Sequence, residues 1–448
     1  MPNQLNMSAL DQYLLEKKDR TLHPAEIVAC LKQLNEADFE AAIKKIPKEI
    51  MGDVALEMPD RYFGNIVEQL SHDDISIAVK ELESDDQTDF MQALEEVDET
   101  TAQAVFHKLD AEDQAEILHL KRYKEDQAGA YMQLELFTAT EDENVHDVIR
   151  RFAQLREQNE LENIHTLFIT TQTGLIQYTI GLDDLLVFDF SKTFVEIITP
   201  QAHKFIPKTA HDTEDIHQVV HYFEEFDLDV IPVVNGRGLL LGRITSDDIY
   251  DIINEKATKQ MYHLAGAGGE FEEDDDILKA GKKRALWLSI NLVTAILASL
   301  IISLFQESLQ SLVALAVLMP IVASMGGNAG TQSLTVVVRQ LALGDITPKD
   351  AKRAIKKEVI IAMVNGAIFA FVMGVIATIW FDKGLLGMVI ALSMVINLLA
   401  AGLFGAMIPL LLKKMEIDPA IGSTVILTTV TDAVGFLSFL GLATLILL

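Results

Sequence analysis

Cysteine is nearly absent. Cys30 is the single thiol in 448 residues, so no intrachain disulfide can form and the redox compartment cannot be read from cysteine usage. Its setting, AEIVACLKQL, is that of a small core residue. The Gly-x-x-x-x-Gly-Lys-Ser/Thr pattern is missing, so nothing cradles a triphosphate for hydrolysis, and the chain is not expected to be an enzyme. His217 and His221 stand four apart with no acid or cysteine at ligand spacing, which describes a surface helix better than a zinc site. The opening MPNQLNMSALDQYLLEKK has no apolar signal core, so the acidic part that follows is not expected to be exported.

Basic residues are scarce over residues 1–278, which carry 23 Lys+Arg against 58 Asp+Glu, a formal −35. Residues 279–448 carry 13 against 8, a formal +5. The acidic excess excludes nucleic acid and anionic lipid as partners of the first part and invites cations.

Residues 34–120 hold short amphipathic stretches, LNEADFEAAIKKI, MPDRYFGNIVEQL, LSHDDISIAVKEL, LESDDQTDFMQAL and LDAEDQAEILHL, the middle ones stepping by twelve. A twelve-residue helical repeat predicts a small superhelical stack, with Ser71, Ser84 and Asp110 as N-caps. Residues 138–253 change character. IHTLFITT, GLIQYTIGLDDLL, LDVIPVVN and GLLLGRITSDDI read as strands, with TEDENVHDVIRRFAQLRE and TEDIHQVVHYFEEF as intervening helices. A strand-bearing unit therefore occurs twice. The pattern DVIPVVN…LLGRITSDDI resembles a tandem pair of CBS domains, an α/β module that dimerises, regulates and sometimes holds an adenine nucleotide. Residues 254–278 read as a linker helix, a Gly/Ala hinge at 266–269 and an acid cluster.

Five apolar stretches follow, at 285–305, 311–338, 359–381, 384–412 and 420–448. All exceed the roughly 20 residues that span a bilayer. Of thirteen basic residues in this part, all but Lys383 fall before the first stretch, between the second and third, or between the fourth and fifth. The positive-inside rule then predicts a multi-pass protein of the inner (plasma) membrane, with cytoplasmic N-terminal domains and Leu448 outside.

The second stretch contains PIVASMGGNAGTQS, where Pro320 and Gly326–Gly327 predict a helix broken at membrane depth beside polar Asn328, Thr331, Gln332 and Ser333. The fifth contains one charge, Asp432, on a face with Thr424, Thr428 and Gly435. A carboxylate at such a depth costs roughly 2.5–3.5 kcal/mol or more. No Lys or Arg lies within the other apolar stretches to offset it. That leaves a hydrated cation, or a protonated carboxyl bonded to Asn291, Asn365 or Asn397. Hard oxygen donors without intramembrane Cys or His favour Mg²⁺, which keeps its waters and is held by one or two carboxylates.

PIVASMGGNAGTQS, LALGDITPKDA and TTVTDAVGF, with the order helical stack, paired CBS, linker and five spans, resemble the MgtE magnesium transporter family over nearly the whole chain. The implied architecture is a superhelical α domain at 1–130, CBS units at 131–200 and 201–253, a linker (plug) helix at 254–278 and a five-helix pore domain at 279–448. The resemblance implies a homodimeric, Mg²⁺-selective channel driven by the membrane potential, with Asp432 and the Thr428 carbonyl at the hydrated ion. It also implies regulatory Mg²⁺ at Asp85, Asp89, Asp227, Asp248, Asp251 and Asp418, closing the pore. The linker departs from the family pattern at Lys256, Lys259 and Gln260, where acids are expected. Two other readings stay open: an ion-coupled transporter of divalent cations such as Mg²⁺ or Co²⁺, and a membrane-anchored cation or nucleotide sensor without flux.

Overall fold

The computed structural model describes residues 23–158, 161, 163–265, 277–343, 345–415 and 417–448. The 266–269 hinge, the acids 270–276 and the first eighteen residues lie outside them. The chain divides into two compact units, Met1–Glu255 and Lys256–Leu448.

Among the described residues the first unit begins with eight α-helices: α1 (Pro24–Leu31), α2 (Glu36–Ile43), α3 (Met51–Glu57), α4 (Asp60–Glu68), α5 (His72–Lys80), α6 (Ser84–Val97), α7 (Glu99–Phe106) and α8 (Ala111–Leu120). The starts at 60, 72 and 84 carry the twelve-residue step. Their apolar faces share one core, with Phe63, Phe90, Met91 and Leu94 buried in it. Ser71 caps α5 as expected: its hydroxyl accepts the Asp74 N–H at 3.1 Å, and Asp74 accepts the Ser71 N–H in return. Asp110 is likewise the N-cap of α8. Ser84 is not an N-cap. It is the first residue of α6, after Glu83, and the cap comes from 51 residues away. Glu135 accepts the Ser84 N–H and hydroxyl, each at 3.0 Å.

Two α/β repeats follow. The first runs β1 (Thr138–Thr140), α9 (Val145–Glu157), β2 (Thr166–Thr170), β3 (Ile176–Gly181), α10 (Leu182–Leu186) and α11 (Phe194–Ile198). The second runs β4 (Ala210–His211), α12 (Ile216–Phe226), β5 (Val230–Val234) and β6 (Leu240–Thr245). Each makes a three-stranded sheet in chain order, its first pair parallel and its second antiparallel. Leu175 and Leu239 bridge the two repeats. Helix α13 (Ser246–Ala265) is continuous across position 254, where the linker was expected to begin.

The second unit contains α14 (Ile277–Ser303), α15 (Gln306–Ser311), α16 (Ala314–Ala342), α17 (Ala351–Phe381), α18 (Gly384–Lys414) and α19 (Ser423–Leu447). Among the described residues five helices are long and apolar enough to cross a membrane: Arg284–Ser303 within α14, then α16, α17, α18 and α19. Helix α16 is unbroken, contrary to the expectation from Pro320 and the glycine pair. Away from water a helix must keep its own hydrogen bonds, so the glycines are accommodated within it. Gly326 and Gly330 are buried, whereas Ser324, Asn328 and Gln332, one turn apart, form an exposed polar stripe.

Candidate ion-binding sites

Helix α6 and the start of α13 bring five carboxylates into mutual range: Glu83, Asp85, Asp86, Asp89 and Asp248. Asp85 is 7% exposed, and its Oδ1 has no hydrogen-bond partner. Burial, followed by the charge of Asp248, holds its carboxyl well above the usual range. The same two causes push Asp86 to about 7 and Asp89 to about 6. Glu83 is raised to about 7 by burial, against the pull of Arg243, which is itself fully buried. Asp248 is raised to about 6, mostly by burial, although its Oδ2 accepts the Thr245 hydroxyl at 2.8 Å and the Thr245 N–H at 3.3 Å. One oxygen of Asp248 therefore serves the start of α13. Desolvated carboxylates with one buried guanidinium among them fit a divalent cation, which would relieve their repulsion. Among the described residues no three His, Cys, Asp or Glu side chains converge to hold a bare metal ion.

Asp251 joins the edge of this group, acting on Asp248 and on Glu57 of α3. Asp227 does not act on it; it is the left-handed C-cap of α12, at φ 53°, a conformation Asp tolerates better than most residues. In the second unit Asp418 accepts the Ala420 N–H at 2.8 Å and lies 3.7 Å from His263 Nδ1.

Asp432 is half-buried on α19 with Thr424 and Thr428. Among the described residues it forms no side-chain hydrogen bond and no ion pair. Asn397 is not its partner; the Asn397 amide donates to the Val322 carbonyl at 2.8 Å. The Thr428 hydroxyl turns back to the carbonyls of Thr424 and Val425, at 3.0 and 3.1 Å, and its own carbonyl accepts the Thr431 hydroxyl. Thr424 donates to the Leu264 carbonyl of α13 at 3.1 Å.

Helices α1 to α8 coincide with the MgtE intracellular N domain model, which matches residues 22–126. A CBS domain model matches residues 202–255, and the MgtE divalent cation transporter model matches residues 319–442, across the helices that carry the polar stripe and Asp432. A magnesium transporter MgtE of Thermus thermophilus is 31% identical over 345 residues, covering 76% of this chain and 74% of its own. The chain belongs to the MgtE family. The MgtE of Bacillus subtilis is 29% identical over 75% of this chain and 73% of its own, and that of Enterococcus faecalis 30% over 75% and 72%. Among solved structures, the cytosolic domain of the Mg²⁺ channel MgtE in complex with ATP aligns with a TM-score of 0.48 at 25% identity, covering 55% of this chain and 99% of that one.

Sequence reasoning singled out Asp85, Asp89 and Asp248, which this MgtE-family structure gathers, and passed over Glu83, Asp86 and Arg243. The adjacent acids in ESDDQTDF were the available signal for Glu83 and Asp86. Nothing local marks Arg243, whose partner Glu83 lies in another domain.

Proposed function

We propose that this chain is a Mg²⁺-selective uptake channel, driven by the membrane potential and gated by Mg²⁺ at its acidic N-terminal unit. The carrying observation is Asp432: a half-buried carboxylate in a membrane-length helix, with no protein partner among the described residues. A cation in water offsets its cost. The polar stripe Ser324–Asn328–Gln332 supports the same reading, since lipid-facing amides would be unpaired and water or a second copy would not leave them so. Two copies would set two Asp432 carboxylates around one hydrated ion, hence a homodimer. The potential supplies about 4.6 kcal/mol per divalent ion at 100 mV, so no chemical step is required. The positive-inside rule supports N-terminal domains in the cytoplasm and Leu448 outside.

Mg²⁺ at Asp85, Asp89, Asp248 and Asp251, with Asp227 and Asp418 as further ligands, would hold the acidic unit compact and the pore closed. The domain boundaries given by the family pattern, and an adenine nucleotide at the CBS pair, belong to this reading.

The test is Mg²⁺ flux in proteoliposomes under an imposed potential. Asp432→Ala and Asp432→Asn should abolish saturable flux while leaving folded protein. Wild-type flux in either variant would overturn the pore assignment. Current that fails to reverse at the Mg²⁺ equilibrium potential would favour coupled transport instead.

A further inference from the structure

Asn397, on α18, is 1% exposed. Its Nδ2 donates to the Val322 carbonyl on α16 at 2.8 Å. That carbonyl is also the i−4 acceptor for Gly326, so the amide adds a second donor to an intact helical bond. Two glycines make room for it. A Cβ on Gly326 would lie 2.7 Å from Asn397 Cγ, and a Cβ on Gly435 would lie 2.7 Å from its Nδ2. Gly435 is on α19, three residues and less than one turn beyond Asp432. The amide of α18 is thus wedged against α16 and α19, beside the turn that bears the lone carboxylate. Its Oδ1 is buried and has no hydrogen-bond partner. A half-satisfied amide is a stability cost that an apolar side chain of similar shape would avoid, and such costs concentrate where function needs them.

We propose that Asn397 is a positioning residue for ion passage: its amide pins the Asp432 turn of α19 against the Gly326 turn of α16. This rests on the reading of Asp432 as the ion-binding carboxylate. Asn397 does not itself touch the ion. It fixes how far α19 stands from α16, and so where the carboxylate is held.

The test compares wild type, Asp432→Ala, Asn397→Leu and Asn397→Ala as full-length protein, by thermal midpoint and by Mg²⁺ flux in proteoliposomes. Leu keeps the branched shape and removes the orphaned oxygen, so the thermal midpoint should hold or rise. The half-saturating Mg²⁺ concentration should rise about ten-fold, on the scale that a sub-ångström to ångström misplacement brings. Ala, which adds no volume, should give the same rise in half-saturation even if it lowers the midpoint. A lower midpoint with half-saturation unchanged in both variants would make Asn397 merely structural and overturn the proposal. So would both quantities unchanged. If Asp432→Ala loses flux while the Asn397 variants match wild type, only the Asn397 assignment falls. If Asp432→Ala matches wild type, the pore reading falls and takes this assignment with it.

Discussion

The Arg243 guanidinium lies 3.8 Å from the Glu83 carboxylate, joining the last strand of the second α/β repeat to the cap of the helix that carries Asp85, Asp86 and Asp89. Arg243 also donates from Nη1 to the Asn163 carbonyl at 3.3 Å, while Nε has no partner. One buried cation thus touches the helical domain and both repeats.

Removing that cation should be costly. Arg243→Met is expected to destabilise the N-terminal unit by about 3 kcal/mol, the scale for breaking a buried pair. Adding Glu83→Gln should restore about 1 kcal/mol or more, because the uncompensated charge goes with it. Hydrogen exchange of that unit in the full chain under denaturant measures both. A double variant whose loss equals the sum of the losses in Arg243→Met and Glu83→Gln alone would mean that the pair is not coupled.

The raised carboxyls give compactness a pH dependence. Glu83 and Asp86 near 7, and Asp89 and Asp248 near 6, bind protons more tightly in the compact state than in an open chain. The proton-linked stabilisation is therefore complete below the ordinary carboxylate range, about 4, and is lost as pH rises through 6 to 7. Mg²⁺ should substitute for the lost protons. The Mg²⁺ concentration that protects this unit from protease should be lower at pH 6 than at pH 8, and binding at pH 7 should release protons. A midpoint that does not move with pH would contradict this.

The two adjacent glycines of α16 should behave differently. Gly326 is pressed against Asn397, while a Cβ on Gly327 meets nothing within 4 Å among the described residues. Gly326→Ala should lower the thermal midpoint of the detergent-solubilised protein, at a cost of about 1–3 kcal/mol for overpacking. Gly327→Ala, whose methyl has open space on a helical backbone, should hold or raise the midpoint. The sequence alone does not distinguish the two.

Thr424→Val keeps the side chain's shape and deletes its donor to Leu264. Leu264 lies in the last described turn of α13, so this bond ties that turn to α19. Losing about 1 kcal/mol there should raise hydrogen exchange of that turn about five-fold. Unchanged exchange would show that the bond contributes nothing.

Features encoded within a few residues were legible: the Ser71 and Asp110 caps, the twelve-residue step, the strands of GLIQYTIG and DVIPVV, and the five long apolar helices. Asp432 stood out because a charge in an apolar run needs no partner to be conspicuous. The missed features depend on chain segments far apart. Glu135 caps Ser84 across 51 residues, and Asn397 reaches Val322 across 75. Strands β1 and β4, of three and two residues, are too short to show alternation. Helix α16 misled for the opposite reason: Pro and Gly are strong local breakers in water, but three packed neighbours and an apolar surrounding outweigh them.

The trio of Gly326, Asn397 and Gly435 also constrains how this chain can diverge. Each residue occupies volume that the other two leave empty, so a methyl gained at either glycine leaves no place for the amide. The three positions, on three different helices, should therefore be inherited as a set. A lineage that acquires alanine at Gly326 or Gly435 should carry a shorter side chain in place of Asn397, and an intermediate with only one of the changes should be the least stable of the series.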